Sequence, residues 1–163
     1  MTALEPATDA DFDWMLGRSQ ARPLLTLPPG GVDSEENLRI IRAMNAALLQ
    51  AHDRGAWMIV HNREVVGLCG YLWPPTAGEV EIGFGIAASR RKRGHATAAV
   101  SAMIRAARDD PSVGVLVART SPTNSASQRV LERNDFTRAG ISSDGVDGEM
   151  IRWVRVLDNV SRA

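Results

Sequence analysis

The chain has 163 residues, 44% hydrophobic and 23% charged, the proportions of a soluble globular domain with its own core. Nineteen acidic and nineteen basic residues cancel at neutral pH, so the overall charge gives no pull toward nucleic acid or an anionic membrane. Cys69 is the only cysteine and excludes an internal disulfide; with no basic-then-apolar leader in Met1 to Asp13 and no run of about 18 apolar residues, the expected setting is cytoplasmic, without a membrane span.

No repeat, long linker or low-complexity block interrupts the chain, so residues 1–163 are expected to form a single domain. A strand near Thr2 to Glu5 leads to a helix capped by Thr8 or Asp9, with Phe12, Met15 and Leu16 inward. Pro23 to Gly31 reads as a loop. Asp33 and Glu36 have capping-box spacing, and Leu38, Ile41, Met44 or Asn45, and Leu48 then follow one helical face to about His52. The period changes after Gly55. Trp57 to Val60, a turn at Asn62 and Arg63, and Val65 to Leu72 predict a hairpin. After a break at Trp73 to Gly78, Glu79 to Ile86 alternates, with Val80, Ile82, Phe84 and Ile86 on one side. A helix is predicted from Gly94 to Arg108, stopped by Asp109, Asp110 and Pro111. A buried strand from Val113 to Ala118 follows, then a helix capped by Asn124 or Ser125 and running to Arg133. Strands at Phe136 to Ser142 and Glu149 to Leu157 close the order β-α-α-β-β-β-α-β-α-β-β. That order predicts a mixed α/β fold with helices on both faces of the sheet.

The stretch Ser89 to Thr97 carries most chemistry. A strand runs into a short basic loop, Arg90, Arg91, Lys92 and Arg93, and then into a helix that opens with Gly94, His95, Ala96 and Thr97. The first amides of a helix lack internal partners and carry partial positive charge. Gly94 lets backbone approach a ligand and Ala96 keeps the next turn free of bulk. The combination predicts a site for a diphosphate. The chain has no Gly-Lys pair for a Walker loop. The glycines of Gly83, Phe84, Gly85 and Ile86 fall inside a strand, not in the turn a dinucleotide fingerprint needs. The three histidines are scattered and no spacing suggests a metal site. Cys69 reads as a small buried hydrophobe.

Arg91 to Ala96 resembles the acetyl-CoA signature of the GNAT superfamily, Gln/Arg-x-x-Gly-x-Gly/Ala. Asn124 to Phe136 resembles a second block, Asn-x-x-Ser-x-x-Val/Leu-Leu-x-Lys/Arg-x-Gly-Phe, found in the branch that contains ribosomal-protein N-terminal acetyltransferases. The resemblance spans roughly Trp57 to Val156. It implies a splayed, mostly antiparallel mixed sheet of six to seven strands. It also implies acetyl-CoA (coenzyme A) as cosubstrate, with the pantetheine along Ile86, Ala87 and Ala88 and the pyrophosphate on Arg91, Lys92, Arg93, Gly94, His95, Ala96 and Thr97. Asn124 would bond the pantetheine or the next loop, and Ser127 would lie near the sulfur. Three positions depart from the pattern: Lys92 and Asp135 stand where glycine is frequent, and Leu131 replaces a tyrosine that serves as general acid in many members.

The activity implied is acetyl transfer to a primary amine by direct attack in a ternary complex. The acceptor would be a protein N-terminus or a small amine. Amides near Phe84 to Ile86 would polarise the carbonyl. Glu81, Glu79 and Glu149 are the candidates to take the amine proton, Glu81 first, and Ser127 is the candidate to protonate the thiolate. The alternative is an acyl-CoA-binding sensor of the same fold. The expected acceptor walls are the Pro23 to Gly31 loop, the Trp73 to Gly78 loop and the Ser142 to Gly148 turn, where Asp144 and Asp147 would suit a cation. The chain is expected to be a monomer or a homodimer paired through Glu149 to Leu157 as an edge strand.

Overall fold

The computed structural model describes residues 1–20 and 22–158; residues 21 and 159–163 of the expected domain, and the side chain of Asp144, lie outside the described residues. The elements are β1 (Thr2–Pro6), α1 (Asp9–Met15), α2 (Glu35–Ala51), β2 (Ala56–His61), β3 (Glu64–Tyr71), β4 (Glu79–Ile86), α3 (His95–Arg108), β5 (Val115–Thr120), α4 (Ser125–Arg133), β6 (Thr137–Asp144) and β7 (Gly148–Val156). This is the expected order, with one added 3-10 turn at Ala88–Arg90.

Local chemistry sets most boundaries. Thr8 caps α1 in a full capping box with Asp11. At α2 the cap is Ser34, whose Oγ accepts from the Asn37 amide at 3.2 Å. Asp33, expected there, sits one residue too early and accepts from the Ser34 amide instead, at 2.7 Å. β5 starts two residues later than Val113. The Val113 amide donates back to the Asp110 carbonyl at 3.1 Å, so this fully buried valine ends a turn and is not yet in the ladder. Phe136 likewise belongs to the end of α4. Its amide reaches the Leu131 carbonyl and the Asp135 amide reaches that of Glu132, each at 3.0 Å, which is a Schellman closure. Asp135 takes the left-handed position of that motif, φ 60°.

Among the described residues, seven strands form one sheet in the order β1-β2-β3-β4-β5-β7-β6. Each pairing is antiparallel except β4 with β5. The strand alternation of β2 supplies both faces: Trp57 and Ile59 pack with Val100, Met103 and Ile104 of α3, while Met58 and Val60 pack with Phe12, Met15 and Leu38 of α1 and α2. Burying each such side chain contributes about 1.5–3 kcal/mol. β7 lies between β5 and β6, so the expected edge at Glu149 to Leu157 is interior; the sheet edges are β1 and β6. No described helix is long and apolar enough to cross a membrane.

The register explains where a ligand can enter. β4 pairs with β5 only over Glu79 to Glu81, against Val115 to Val117. From Ile82 to Ile86 it pairs with β3 on its other side. The sheet therefore splays beyond Glu81, leaving one edge of β4 without a strand partner. Backbone groups are obligatory hydrogen bonders, so this open edge is a place to bind an extended chain.

Candidate active site

A cleft of about 600 Å³ lies at the splay, between the open part of β4, the start of α3 and the first turns of α4. Phe84, Gly85 and Ile86 form one wall, the run Arg90 to Thr97 the base, and Asn124, Ser127 and Val130 the opposite wall. Gly94 is the N-cap of α3, with φ 82° and no side-chain cap bond, so no cap side chain covers the opening amides of the helix. A Cβ at Gly94 would meet nothing within 4 Å, so the space in front of the helix is open. Lys92 also takes φ 63°, the conformation for which glycine is favoured.

The four basic residues of the loop do not act alike. Arg90 is turned back onto Glu64, with Nε and Nη2 donating to its carboxylate at 2.5 and 3.0 Å. That pairing holds the Glu64 carboxyl below its ordinary range. Arg91 donates from Nε to the Ile86 carbonyl at 3.3 Å, at the mouth of the open strand edge. Lys92 and Arg93 are exposed on the cleft. Two further cations, Arg129 and Arg133, reach the cleft from α4. They were missed in the sequence, although their i, i+4 spacing after Asn124 places them on one helical face.

His95 contributes backbone to the cleft, but its imidazole is buried behind the loop. It lies against His61 with ring centroids 4.7 Å apart, and Thr2 Oγ1 is 3.4 Å from Nδ1 of both rings. Burial first, then His61 and Arg93, depress its pKa. Of the expected pantetheine contacts, Ile86 lines the cleft. Ala87 is buried with its amide donated to the Val66 carbonyl at 2.8 Å, and Ala88 opens the 3-10 turn; neither lines the cleft.

Asn124 caps α4, its Oδ1 accepting from the Ser127 amide at 3.1 Å. Ser127 is half-buried in the cleft wall. Leu131, at the position of the family's tyrosine, is fully buried in the main core and does not line the cleft. Glu81 receives Arg119 Nε at 2.8 Å and Trp73 Nε1 at 3.4 Å, and Glu79 receives Arg152 at 2.9 Å. By strand alternation both carboxylates share a face of β4 with Gly83 and Gly85. Glu149 is exposed on β7, opposite Ser143 at the far side of the sheet. Among the described residues no three His, Cys, Asp or Glu groups gather as a metal site.

A second cavity, of about 180 Å³, lies across β4 on the α2 side. Its apolar walls are Val32, Ile41, Met44, Leu68 and Leu72, and Gly70, Gly83 and Gly85 floor it. Phe84 and Gly85 line both cavities, so the two spaces meet at the open part of β4. No described residue of the three loops expected to wall an acceptor site lines it; the lining residues nearest to them are Val32 and Asp33, just after the first loop. Burial pushes the Cys69 thiol up, as expected of an inert core residue.

The family model described as "Acetyltransferase (GNAT) domain" matches residues 2–137. The chain belongs to this GNAT acetyltransferase family. A curated relative, the uncharacterized N-acetyltransferase YjdG of Bacillus subtilis (strain 168), is 36% identical over 84 residues, covering 50% of this chain and 50% of the relative. Solved structures share the GNAT fold more fully. RimL, a ribosomal L7/L12 alpha-N-protein acetyltransferase in complex with coenzyme A, superposes with TM-score 0.75 at 20% identity, over 97% of this chain and 95% of its own. The aminoglycoside acetyltransferase AAC(6')-Ib in complex with coenzyme A superposes with TM-score 0.72 at 20% identity, over 96% and 95% of the two chains.

Proposed function

We propose that the chain is an acetyl-CoA-dependent N-acetyltransferase, acting as a single domain on a primary amine. The observation that carries this reading is the meeting of two different cavities at Phe84 and Gly85: a cationic, backbone-rich cleft on one side and a smaller, mainly apolar one on the other. The first suits a diphosphate with a long extended arm. The second suits the group that will receive the acetyl. That RimL and AAC(6')-Ib were solved with coenzyme A on the same fold supports the choice of cosubstrate.

In this reading the amides opening α3, with Lys92, Arg93, Arg129 and Arg133, hold the phosphates. The open edge of β4 holds the extended arm, and Arg91 yields the Ile86 carbonyl to it. The unprotonated amine enters from the α2 side and attacks the thioester carbonyl carbon. A C–N bond forms, the C–S bond breaks, the nitrogen loses a proton and the thiolate gains one. Amides of β4 near Phe84 to Ile86 stabilise the developing oxyanion, where one donor is worth about 2.7–4 kcal/mol. Alignment of amine and thioester supplies much of the remaining acceleration. Ser127 protonates the thiolate. Glu81 takes the amine proton through water, since Arg119 already occupies one of its oxygens.

Thiol release with an amine panel, beside an acetyl-CoA binding titration, tests the reading. Gly94→Glu is expected to lower acetyl-CoA affinity at least about 100-fold, because a carboxylate then faces the phosphates. Gly94→Ala controls for the strain of φ 82° and should lose far less. A folded Gly94→Glu protein with wild-type affinity would place the phosphates elsewhere, and binding without thiol release on any amine would make the domain an acyl-CoA sensor.

A further inference from the structure

We infer that the acceptor is a primary amine bearing one compact apolar group, about the size of a benzene ring, and no carboxylate beside the amine. This rests on the transferase reading above and adds the acceptor's chemistry to it.

The cavity on the α2 side is built for shape, not for polar recognition. A space of about 150 Å³ lined by aliphatic and aromatic side chains is large enough to take up benzene; this one, open at its rim, measures about 180 Å³. Asn45 and Cys69 are satisfied or withdrawn, and the Tyr71 ring packs against His52 and Trp57 in the main core, its hydroxyl buried without a hydrogen-bond partner among the described residues. Asn45 receives the Ala56 amide on Oδ1 at 2.7 Å and donates Nδ2 to the Ala7 carbonyl at 3.2 Å. The Cys69 thiol is buried and held neutral. A sugar or polyol placed there would lose hydrogen bonds to water without replacement.

Charge narrows the class further. Among the described residues Asp33 is the sole charged one of the lining, and no described arginine or lysine belongs to it. A free amino acid would bring its carboxylate into an apolar space that offers no cation, and toward Asp33 at the rim. An amine whose neighbouring carbon carries only an apolar substituent, or an amide, meets neither cost. The floor agrees with this. Gly83 and Gly85 remove side chains where β4 passes between the cavities, and a Cβ at Gly85 would meet nothing within 4 Å. A flat or branched group can thus lie on the strand while its amine reaches the junction at Phe84. Two sources fit: a small arylalkylamine, and a peptide N-terminus that begins with a bulky apolar residue.

Initial rates with acetyl-CoA on five acceptors decide among them: 2-phenylethylamine, a tripeptide amide starting with Phe, one starting with Ser, free phenylalanine, and an aminoglycoside. The expected result is kcat/KM at least about tenfold higher for one of the first two acceptors than for all of the last three, the scale on which apolar pockets discriminate. Whichever of the first two leads identifies the source. Met44→Trp, which fills the cavity from α2, should raise KM for that acceptor at least about tenfold while acetyl-CoA affinity stays within about twofold. Leu72→Ala, which enlarges it, should shift the preference toward a naphthyl-bearing amine. Melting temperatures of both variants confirm folding. Higher rates on the hydrophilic or free-acid acceptors, or wild-type kinetics in both variants, each overturn this inference alone, whereas cofactor binding with no transfer to any amine overturns the transferase reading as well. Failure of the wild type to bind acetyl-CoA removes the transferase reading and this one with it.

Discussion

The two cavities that meet at Phe84 differ in what builds them. The cleft at the splay is made of one continuous run, Arg90 to Thr97, closed by a second, Asn124 to Arg133. It is built from the start of a helix, a left-handed glycine and cations. The cavity on the α2 side draws on five separate stretches: Val32 and Asp33, one face of α2, Ala56 of β2, Leu68 to Leu72, and Gly83 to Gly85 of β4. The acceptor role proposed for it rests on the volume those side chains leave empty. Binding an anion can be encoded locally, because a helix start is a local object. Shaping a pocket cannot, because each wall comes from another part of the chain.

The junction itself offers the largest test of that contrast. Gly85→Val grows a side chain into open space shared by both cavities, so the fold should survive. Loss of alignment between amine and thioester is expected to lower kcat/KM about 100-fold. Gly83→Val is the informative companion, since its Cβ would meet Leu72 Cδ2 at 2.8 Å and disturb the α2 side first. If Gly85→Val turned over at the wild-type rate, the two cavities would not be halves of one site.

Ser127 sharpens the division between binding and chemistry on the cleft side. Ser127→Ala should lower kcat by about 100-fold, the lower range for losing a general acid, with acetyl-CoA affinity unchanged. The cap of α4 is retained, because it uses the Ser127 amide and not the hydroxyl. An unaltered kcat would hand thiolate protonation to water. Arg129→Ala and Arg133→Ala should do the reverse. Each is expected to weaken acetyl-CoA about tenfold and leave kcat alone, less than a buried charge-assisted bond because both side chains are solvent-accessible. The loss should shrink as salt is raised.

A smaller effect tests the loop's backbone. Lys92 holds φ 63° where the family often has glycine. An L-residue there costs about 1–2 kcal/mol, and glycine returns about 0.4–1 of that through the unfolded chain. Lys92→Gly should therefore stabilise the fold by up to about 1 kcal/mol, read as a higher denaturant midpoint. Asp135→Gly should gain less. Aspartate tolerates the left-handed region better, and Asp135 also faces Arg155 at 3.4 Å. A loss of stability in Lys92→Gly would show that its side chain anchors the loop.

The same division explains what the sequence disclosed. Element order, the caps at Thr8 and Asn124, the turn at Asn62 and Arg63 and the basic loop leading to Gly94 at the start of α3 are all set within a few residues, and each is found where expected. The departures came from long-range pairing. Glu149 to Leu157 looked like an edge because β7 ends the described sheet in sequence, but it is inserted between β5 and β6. Val113 and Phe136 looked like strand because they are buried, yet their amides close turns. Arg90 looked like a fourth phosphate ligand because nothing nearby in sequence revealed Glu64, 26 residues earlier. The acceptor walls were sought in loops, where pockets are often found, whereas the cavity proposed above for the acceptor is lined by α2, β3 and β4.

The smallest predicted effect concerns the buttress behind the cleft. His95 is buried at the first position of α3, facing His61 and Thr2, with Arg93, Arg90 and Glu64 around it. Desolvation leads in lowering its pKa from the ordinary 6.5, helped by His61 and Arg93. Above that value the ring is neutral in both folded and unfolded chains and contributes no pH dependence. As pH falls below 6.5 the unfolded chain takes up a proton that the folded one refuses, so stability declines until the folded pKa is reached. His95→Gln should remove this part of the slope, making urea midpoints between about pH 7 and pH 5 fall less steeply than in the wild type. Comparison at matched pH separates it from the other histidines, which both proteins keep. Parallel slopes would mean that the ring accepts its proton in the folded state, and that the start of α3 stands a positive charge where the cleft is already most cationic.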